Sequence, residues 1–277
     1  MSGVLQRTLA ILERLAADVN GVSLATLADD LHMPRSAAHR LLLELSEEGY
    51  VRQSRERGDY VLTTKLVSLG LNYLKYSGVV DLCQPILDRV AESTGELVRL
   101  GVVDVDHLTW VALSQGARSG LRYDPDMGID AQLSCTSSGQ SWLATLSDDD
   151  AIALVSKQGL GKPERFGPNA PTSIAALMKA LRRVRADGYA ATSETYAPGL
   201  ASVAVAIRPE GKGAVGVLVV SGPTVRLSEK KLHALAPGLV AAANEIASIS
   251  AASPLLNRAH VRAEVKDQYQ LPVKAKN

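Results

Sequence analysis

Short amphipathic segments occupy the first part of the chain. An apolar stripe predicts a first helix between Val4 and Asp18, and this stripe consists of Leu5, Leu9, Leu12 and Ala16. A second helix is predicted after Ser23, whose hydroxyl suits a helix N-cap, and its apolar positions are Leu24, Leu27, Ala28 and Leu31. A third helix begins at Pro34, because proline fits the first helical position. We expect the first helix to pack behind the other two.

The third helix separates its residues into two sides. One side is apolar and carries Ala38, Leu41, Leu42 and Leu45. The other side carries polar side chains of the lengths that reach base edges and phosphates, namely Arg35, Ser36, His39 and Arg40. Such a helix after a short helix and a tight turn is typical of the helix-turn-helix, whose second helix enters the major groove of DNA. An ordinary helical hairpin with a solvated polar side explains the same spacing and stays open here.

Two short strands around a polar turn follow Gly49. The run from Tyr50 to Leu62 predicts a β-hairpin with three arginines near its tip. A hairpin in this position is the wing of a winged helix-turn-helix, although a solvated basic turn is the alternative. The candidate DNA-binding residues are Ser23, Thr26, Arg35, Ser36, His39, Arg40, Arg52, Arg55 and Arg57.

The pattern changes after residue 64. A seam with three- and four-residue spacing predicts a linker helix that pairs with a second copy or packs on the next domain, and it consists of Leu66, Leu69, Tyr73, Tyr76 and Val80. Strands then alternate with helices: strands at 97–103, 107–113, 189–194, 202–208 and 214–221, and helices at 81–93, 138–146, 148–157, 172–187 and 228–249. Residues 121–133 read as irregular, with a turn at Asp124-Pro125. Tight turns between several strands predict an α+β domain with a mixed or antiparallel sheet.

Length and charge do little to narrow the class of protein. The chain has 277 residues, 46% of them apolar, which suffices for one large or two modest domains. Its 30 basic and 29 acidic residues give a net charge of +1. The first 65 residues are also nearly neutral, which keeps open a protein-interaction module whose winged helix no longer meets DNA. Aromatic residues form only 4% of the chain, and this disfavours stacking platforms for single strands.

Other classes of chemistry find weak support. Cys83 and Cys135 make neither a disulfide framework nor a metal quartet, and the five histidines show no metal spacing, so we expect no metal and no cofactor. An enzyme with Cys135 as nucleophile and His107 as base, or with a serine nucleophile, is the alternative, but the Gly-x-Ser-x-Gly elbow is missing. No apolar run approaches a membrane span and no signal peptide is recognisable, so we expect a cytoplasmic protein that meets no membrane.

From about residue 7 to about residue 249 the chain resembles the IclR family of bacterial transcriptional regulators. The N-terminal runs that carry the likeness are Arg7–Leu12, Ser23–Ala28, Pro34–Leu42, Gly49–Val51 and Tyr60–Thr63. Those in the second part are Ser138–Ala144, Gly188-Tyr189 with Glu194 and Gly199, and Gly216 to Pro223. The resemblance implies a homodimer or tetramer that binds double-stranded operator DNA and controls a catabolic operon in response to a small organic or aromatic acid.

The resemblance also implies a division of the chain. Residues 1–64 would be the winged helix-turn-helix, 65–80 a linker and dimerisation helix, 81–252 an effector-binding domain with a GAF-like fold, and 253–277 a C-terminal tail. The whole chain is thus expected to be α+β.

An effector is expected where Cys135 to Gly139 open a helix, because the first N–H groups of a helix are unpaired and attract a carboxylate. The resemblance places Ser137 and Ser138 against the ligand. It also places Thr192 where relatives often carry an aspartate and Val219 where another serine can occur, so the pocket is less charged and an unusual or bulkier effector is possible. The alternative for the hydroxyls is capping and strand-face hydrogen bonding. The candidate effector-binding residues are Tyr123, which with Arg122 would close over the pocket, and Ser137, Ser138, Gly139, Thr192, Ser202 and Ser221.

Overall fold

The computed structural model describes residues 3–54, 58–124, 131–160 and 163–257. The chain divides into two compact units, Met1–Tyr76 and Ser77–Asn277, and each has a hydrophobic core of its own. Some predicted features lie outside the described residues: Arg55 and Arg57 at the hairpin tip, the turn at Pro125, and the tail beyond Asn257.

The N-terminal unit consists of helices and one small hairpin. Its elements are α1 (Val4–Ala16), α2 (Leu24–Asp30), α3 (Arg35–Glu47), β1 (Val51–Gln53), β2 (Tyr60–Leu62) and α4 (Lys65–Ser77). The two strands pair antiparallel, with Val51 opposite Leu62, and β2 forms one further bridge to Val22. This arrangement confirms the winged helix-turn-helix expected from the sequence.

The buried side of α1 differs from the prediction. The buried residues of α1 are Ile11 and Leu15, whereas Leu5 and Leu9 of the predicted stripe are exposed. Both sets repeat at helical spacing, so the pattern alone favoured neither, and contact of α1 with β2 decides which one is buried. The remaining core residues are Val22, Leu27, Ala28, Met33, Ala38, Leu41, Leu42, Leu45, Val51 and Tyr60.

Helix α4 leaves apolar side chains uncovered in the single chain. The exposed residues are Val67, Leu69, Leu71, Tyr73 and Tyr76. The start of the helix is held by Lys65, whose ammonium donates to the Glu48 carbonyl and lies 4.2 Å from the centroid of the Tyr50 ring. Pairing of this helix with a second copy stays a prediction.

The C-terminal unit contains a five-stranded sheet in the order β4-β3-β7-β6-β5, with every neighbouring pair antiparallel. Its strands are β3 (Leu97–Asp104), β4 (His107–Gln115), β5 (Ala190–Ser193), β6 (Leu200–Ile207) and β7 (Gly216–Pro223). Its helices are α5 (Val79–Thr94), α6 (Ser137–Leu143), α7 (Asp148–Gln158), α8 (Ile174–Asp187), α9 (Glu229–Ile249) and α10 (Pro254–Asn257), with short 3-10 turns at Pro163–Arg165 and Ser250–Ala252. The α+β class is confirmed, with a sheet that is antiparallel throughout.

Helices cover both faces of this sheet. Alternate residues of β7 point to opposite sides: Val219 joins the cluster formed with α6, α7 and α8, while Val220 meets α5 and α9. The first cluster includes Trp142 and Leu177, which are buried against the sheet. A strand that is buried on both faces reads as a continuous apolar run, and this explains the pattern of residues 214–221.

Helix α9 departs from one expectation. The stretch Glu229–Ala252, which contains an 18-residue window with a mean hydropathy of 1.3, is long and apolar enough to cross a membrane by length and composition alone. One side of α9 nevertheless packs on the sheet, and its buried residues are Leu232, Ala236, Leu239, Ala242, Ala243 and Ile246. Core helices of globular domains pass the same test of composition, so α9 serves here as a core helix.

Candidate functional site

The predicted DNA-contacting side of α3 is exposed to solvent. It carries Arg35, Ser36, His39 and Arg40, while Ala38, Leu41, Leu42 and Leu45 on the other side are buried. Arg40 Nε lies 3.8 Å from Glu44 Oε1, and both side chains are exposed. A pair this open to water contributes little stability and leaves the guanidinium able to exchange Glu44 for a phosphate.

The other predicted DNA contacts have varied surroundings. Ser23 Oγ accepts a hydrogen bond from the Thr26 N–H at 3.1 Å, so it caps α2 as expected. Thr26 and Arg52 are exposed, and Arg52 lies on β1 opposite Val61. The α2 cap, the outer side of α3 and the base of the hairpin therefore belong to one compact unit.

A cavity of about 250 Å³ lies between the start of α6 and the sheet of the C-terminal unit. Five of the seven predicted effector residues line it: Tyr123, Ser137, Ser138, Ser202 and Ser221. Gly139 and Thr192 are not among the lining residues, and Arg122 beside Tyr123 is exposed and does not line it either.

Three hydroxyls form a short chain along one wall. Ser202 Oγ lies 2.8 Å from Ser137 Oγ and 3.0 Å from Thr192 Oγ1. Strand register explains the arrangement, since Ser202 is opposite Thr192 on β5 and opposite Ser221 on β7. Thr192 thus reaches the cavity only through Ser202.

Gly139 serves packing rather than the cavity surface. Its N–H donates to Thr136 Oγ1 at 3.0 Å, so the cap uses a group that the sequence argument assigned to a ligand. A Cβ at Gly139 would lie 2.3 Å from the carbonyl oxygen of Leu133, which shows that only glycine lets the two segments approach this closely. Helix α6 has only seven residues, and the Gly139 N–H at its amino end is already bonded within the chain.

Among the described residues that line the cavity, the one with a positive charge is Arg99, which was not predicted from the sequence. It lies within β3 and is only 8% exposed. Its Cζ lies 3.9 Å from the centroid of the Trp110 ring and 5.8 Å from that of Tyr123. Burial lowers the pKa of Arg99 from its usual value, while Tyr123 and Tyr196 act in the opposite direction; an arginine remains charged at neutral pH. The signal was present in the sequence, because Arg99 is the one charged residue in the apolar run from Leu97 to Val103.

The segment that carries Tyr123 is tied at two points. Gln115 Nε2 donates to the Tyr123 carbonyl at 3.1 Å, and Arg226 Nη1 donates to the Leu121 carbonyl at 2.6 Å. Arg226 also binds the buried Glu96 carboxylate in bidentate fashion, at 2.6 and 2.8 Å. The rim of the cavity is therefore connected to a charged pair that lies outside the cavity.

The cysteines are poor nucleophiles. Both are fully buried, and burial raises the pKa of Cys83 to about 11 and that of Cys135 to about 12. The proposed base His107 places its Nε2 3.0 Å from Asp106 Oδ1. Among the described residues, no group of three His, Cys, Asp or Glu side chains is arranged to hold a metal ion. These observations weigh against the cysteine mechanism.

Family models match both units of the chain. The IclR helix-turn-helix domain matches residues 4–55, and the C-terminal domain of bacterial transcriptional regulator IclR matches residues 71–248. The second match alone spans more than half of the chain.

Individual proteins agree. The HTH-type transcriptional regulator BhcR of Paracoccus denitrificans is 30% identical over 243 residues, covering 87% of this chain and 85% of its own. The acetate operon repressor of Salmonella typhimurium is 28% identical over 243 residues, covering 87% and 88%. The crystal structure of an IclR homologue from Microbacterium hydrocarbonoxydans, complexed with 4-hydroxybenzoate, has a TM-score of 0.69 at 21% identity and covers 89% of this chain and all of that one. This chain therefore belongs to the IclR family of ligand-responsive transcriptional regulators.

Proposed function

We propose that this protein represses or activates a catabolic operon by binding its operator through α3 and the hairpin, and that a small organic or aromatic acid in the cavity changes this binding. The observation that carries the proposal is the outer side of α3. It exposes two arginines, a serine and a histidine above a core of leucines. Groove-reading helices require this division, because side chains that contact bases must project from a rigid support.

Residues 1–64 take the DNA-binding role in this proposal, and 81–252 sense the effector. Arg35, Ser36, His39 and Arg40 would enter the major groove. Thr26 and the capped start of α2 would meet the backbone, and Arg52, with Arg55 and Arg57, would follow the neighbouring phosphates. The tail, 253–277, has no assigned role.

The cavity supports the sensing role. It is smaller than the ~300–1000 Å³ typical of sites for drug-sized ligands, so a small metabolite suits it better than the bulkier effector considered from Thr192 and Val219. Hydroxyls and aromatic rings line it together, as expected for an acid with a polar end and a flat body. The related structure that holds 4-hydroxybenzoate supports the same chemical class.

The linker helix, residues 65–80, would join two copies. The exposed apolar residues of α4 are the support for a homodimer or tetramer. A two-fold dimer would read half-sites about 34 Å apart, or multiples of that distance. We further propose that the protein acts in the cytoplasm, where bacterial DNA lies, without catalysis and without a metal or cofactor.

Arg40→Ala tests the DNA-binding role. The DNA upstream of the gene is titrated with the variant at several salt concentrations, and binding is read from the shift in the electrophoretic mobility of the DNA. Loss of a charge-assisted contact should lower the affinity at least about tenfold and reduce its salt dependence, while circular dichroism stays unchanged. Arg182→Ala, an exposed arginine on α8, is the matched control and should bind as wild type. Full affinity of Arg40→Ala would refute this docking, and weak binding by the wild type would favour the protein-interaction alternative.

Ser138→Leu tests the sensing role. Ser138 lines the cavity, so a larger apolar side chain should fill it and abolish the response of DNA binding to 4-hydroxybenzoate, without weakening DNA binding itself. Ser119→Leu, at an exposed position, is the control. An unchanged response in Ser138→Leu would place the effector elsewhere.

A further inference from the structure

We infer that Arg99 selects the effector by binding its single carboxylate, which makes this protein a sensor of small monocarboxylates rather than of neutral or dianionic metabolites. The inference rests on the proposed sensing role of the cavity and adds to it the group that recognises the ligand. It assigns to Arg99 a role that the sequence argument gave to the amino end of α6.

Burial lowers the pKa of Arg99, and among the described residues the groups that raise it are two tyrosines rather than a carboxylate: Tyr123, which shares a side-chain hydrogen bond with Arg99, and Tyr196. Among the described residues, none accepts a hydrogen bond from Arg99 Nε, although this atom is buried. The direct neighbours of Arg99 across the sheet are Val219 on β7 and Leu113 on β4, and neither side chain can accept a hydrogen bond. A buried cation without a full set of acceptors costs free energy. An anion that enters the cavity would remove this cost.

The geometry leaves the guanidinium prepared for a carboxylate. The guanidinium carbon Cζ lies over the Trp110 ring, 3.9 Å from its centroid, and this cation–π contact helps to fix the position of the group. The donors of a guanidinium lie in its plane, so contact with the Trp110 ring does not use them, and a carboxylate in the cavity can accept hydrogen bonds from the edge of the group. Ser221 and the hydroxyl chain at Ser202 line the same cavity and supply further polar partners.

The charges at the cavity also limit the ligand to one negative charge. Among the described residues that line the cavity, Arg99 is the one basic residue, while the carboxylate of Asp124 lies at the wall and is exposed. A second carboxylate on the ligand would face Asp124 without a cation of its own. The aromatic rings of Tyr123 and Tyr196 complete the wall and suit a planar or apolar body.

Binding of matched acids and amides tests the inference. The full-length protein is titrated, without DNA, with a panel of monocarboxylates from acetate to 4-hydroxybenzoate, each paired with its neutral carboxamide. Tryptophan fluorescence is the readout, since Trp110 contacts Arg99. Wild type, Arg99→Met and Arg99→Lys are compared, and Arg182→Met, at an exposed arginine on α8 that does not line the cavity, is the matched control.

We expect at least one acid to bind wild type and Arg182→Met with equal affinity, and to bind both at least about tenfold more tightly than its amide does. Arg99→Met should lower the affinity for that acid about tenfold to a hundredfold and leave the affinity for the amide unchanged, because a charge-assisted contact is lost. Arg99→Lys should recover part of the affinity, since the charge returns without the planar donors. The melting temperature of unliganded Arg99→Met should not fall by more than about 2 °C, whereas a merely structural arginine would lower it further.

Three results would overturn the assignment: equal affinity for acid and amide, undiminished acid binding by Arg99→Met, or no binding of any acid by wild type. DNA binding is measured separately, so the two proposals fail separately. Arg99→Met that still binds the upstream DNA and still responds to the acid would remove the role of Arg99 and leave the regulator intact. A wild type that binds acids through Arg99 but no DNA would do the reverse.

Discussion

Polar side chains are exposed to solvent on the outer side of α3 but buried at the cavity of the C-terminal unit. On α3 the polar residues are solvated, and leucines beneath them provide the stability. In the cavity the serines and Arg99 are themselves buried and form part of the folded interior. Polar residues on the helix are therefore replaceable without loss of fold, whereas those of the cavity are coupled to the packing around them.

The comparison predicts that stability in the N-terminal unit depends on the inner side of α3. Leu42→Ala removes a side chain that is 0% exposed, so the free energy of unfolding of this unit should fall by about 2–5 kcal/mol. Leu43→Ala, at the next position and 47% exposed, should cost less than about 1 kcal/mol. Urea denaturation followed by circular dichroism measures both. Equal losses in the two variants would contradict the described burial of α3.

In the C-terminal unit, a single methyl group near the cavity should be costly. Gly139→Ala places a Cβ 2.3 Å from the Leu133 carbonyl oxygen, and the backbone must shift, so we expect a loss of about 1–3 kcal/mol. Gly238→Ala in α9 meets no atom within 4 Å and should instead add about 0.5–1 kcal/mol. Thermal unfolding compares the two. A neutral Gly139→Ala would show that the start of α6 is loosely packed.

The smallest effect concerns alkaline pH and should be confined to the C-terminal unit, which contains both cysteines. Because burial raises the pKa of Cys83 to about 11 and that of Cys135 to about 12, the folded state keeps both thiols protonated. The stability that results from the two raised pKa values is fully present below the pKa of the unfolded thiol and is lost as the pH rises above it. Between pH 8 and 10, each thiol should lower the free energy of unfolding by about 1 kcal/mol.

Alkylation provides the check on the thiols. Iodoacetamide at pH 8 should modify neither cysteine in the native protein and both in urea, as read by mass spectrometry. Ser119→Cys, at an exposed position, should react at once and serves as the control. Rapid alkylation of native Cys135 would revive the nucleophile alternative.

Sequence patterns predicted the helix faces better than the cavity. The two sides of α3 followed from its periodicity, because a surface helix shows both kinds of residue in a fixed repeat. The stripe of α1 was wrong, since two stripes were present and contact with β2 chose between them. Helix α9 was predicted at 228–249 and lies at Glu229–Ile249, although composition alone does not distinguish such a core helix from a membrane span.

The cavity was predicted only in part, and for a different reason. Ser137, Ser138, Ser202 and Ser221 were found through resemblance, whereas Arg99 has no repeat and no motif. The surroundings that make Arg99 a candidate ligand-binding group include Trp110 and Val219, which the sheet brings beside it from other strands. Such a site exists only after folding, so local patterns carry just one trace of it, a charge in an apolar strand.

The two ties of the segment around Tyr123 have a consequence for evolution. Gln115 and Arg226 hold its backbone carbonyls, and Arg226 is in turn anchored on Glu96. None of these three side chains belongs to the cavity wall. Substitutions there can make the rim stiffer or looser while every residue of the cavity wall keeps its identity. Under the proposed sensing role, ligand residence time can thus drift among descendants of this gene independently of the choice of ligand.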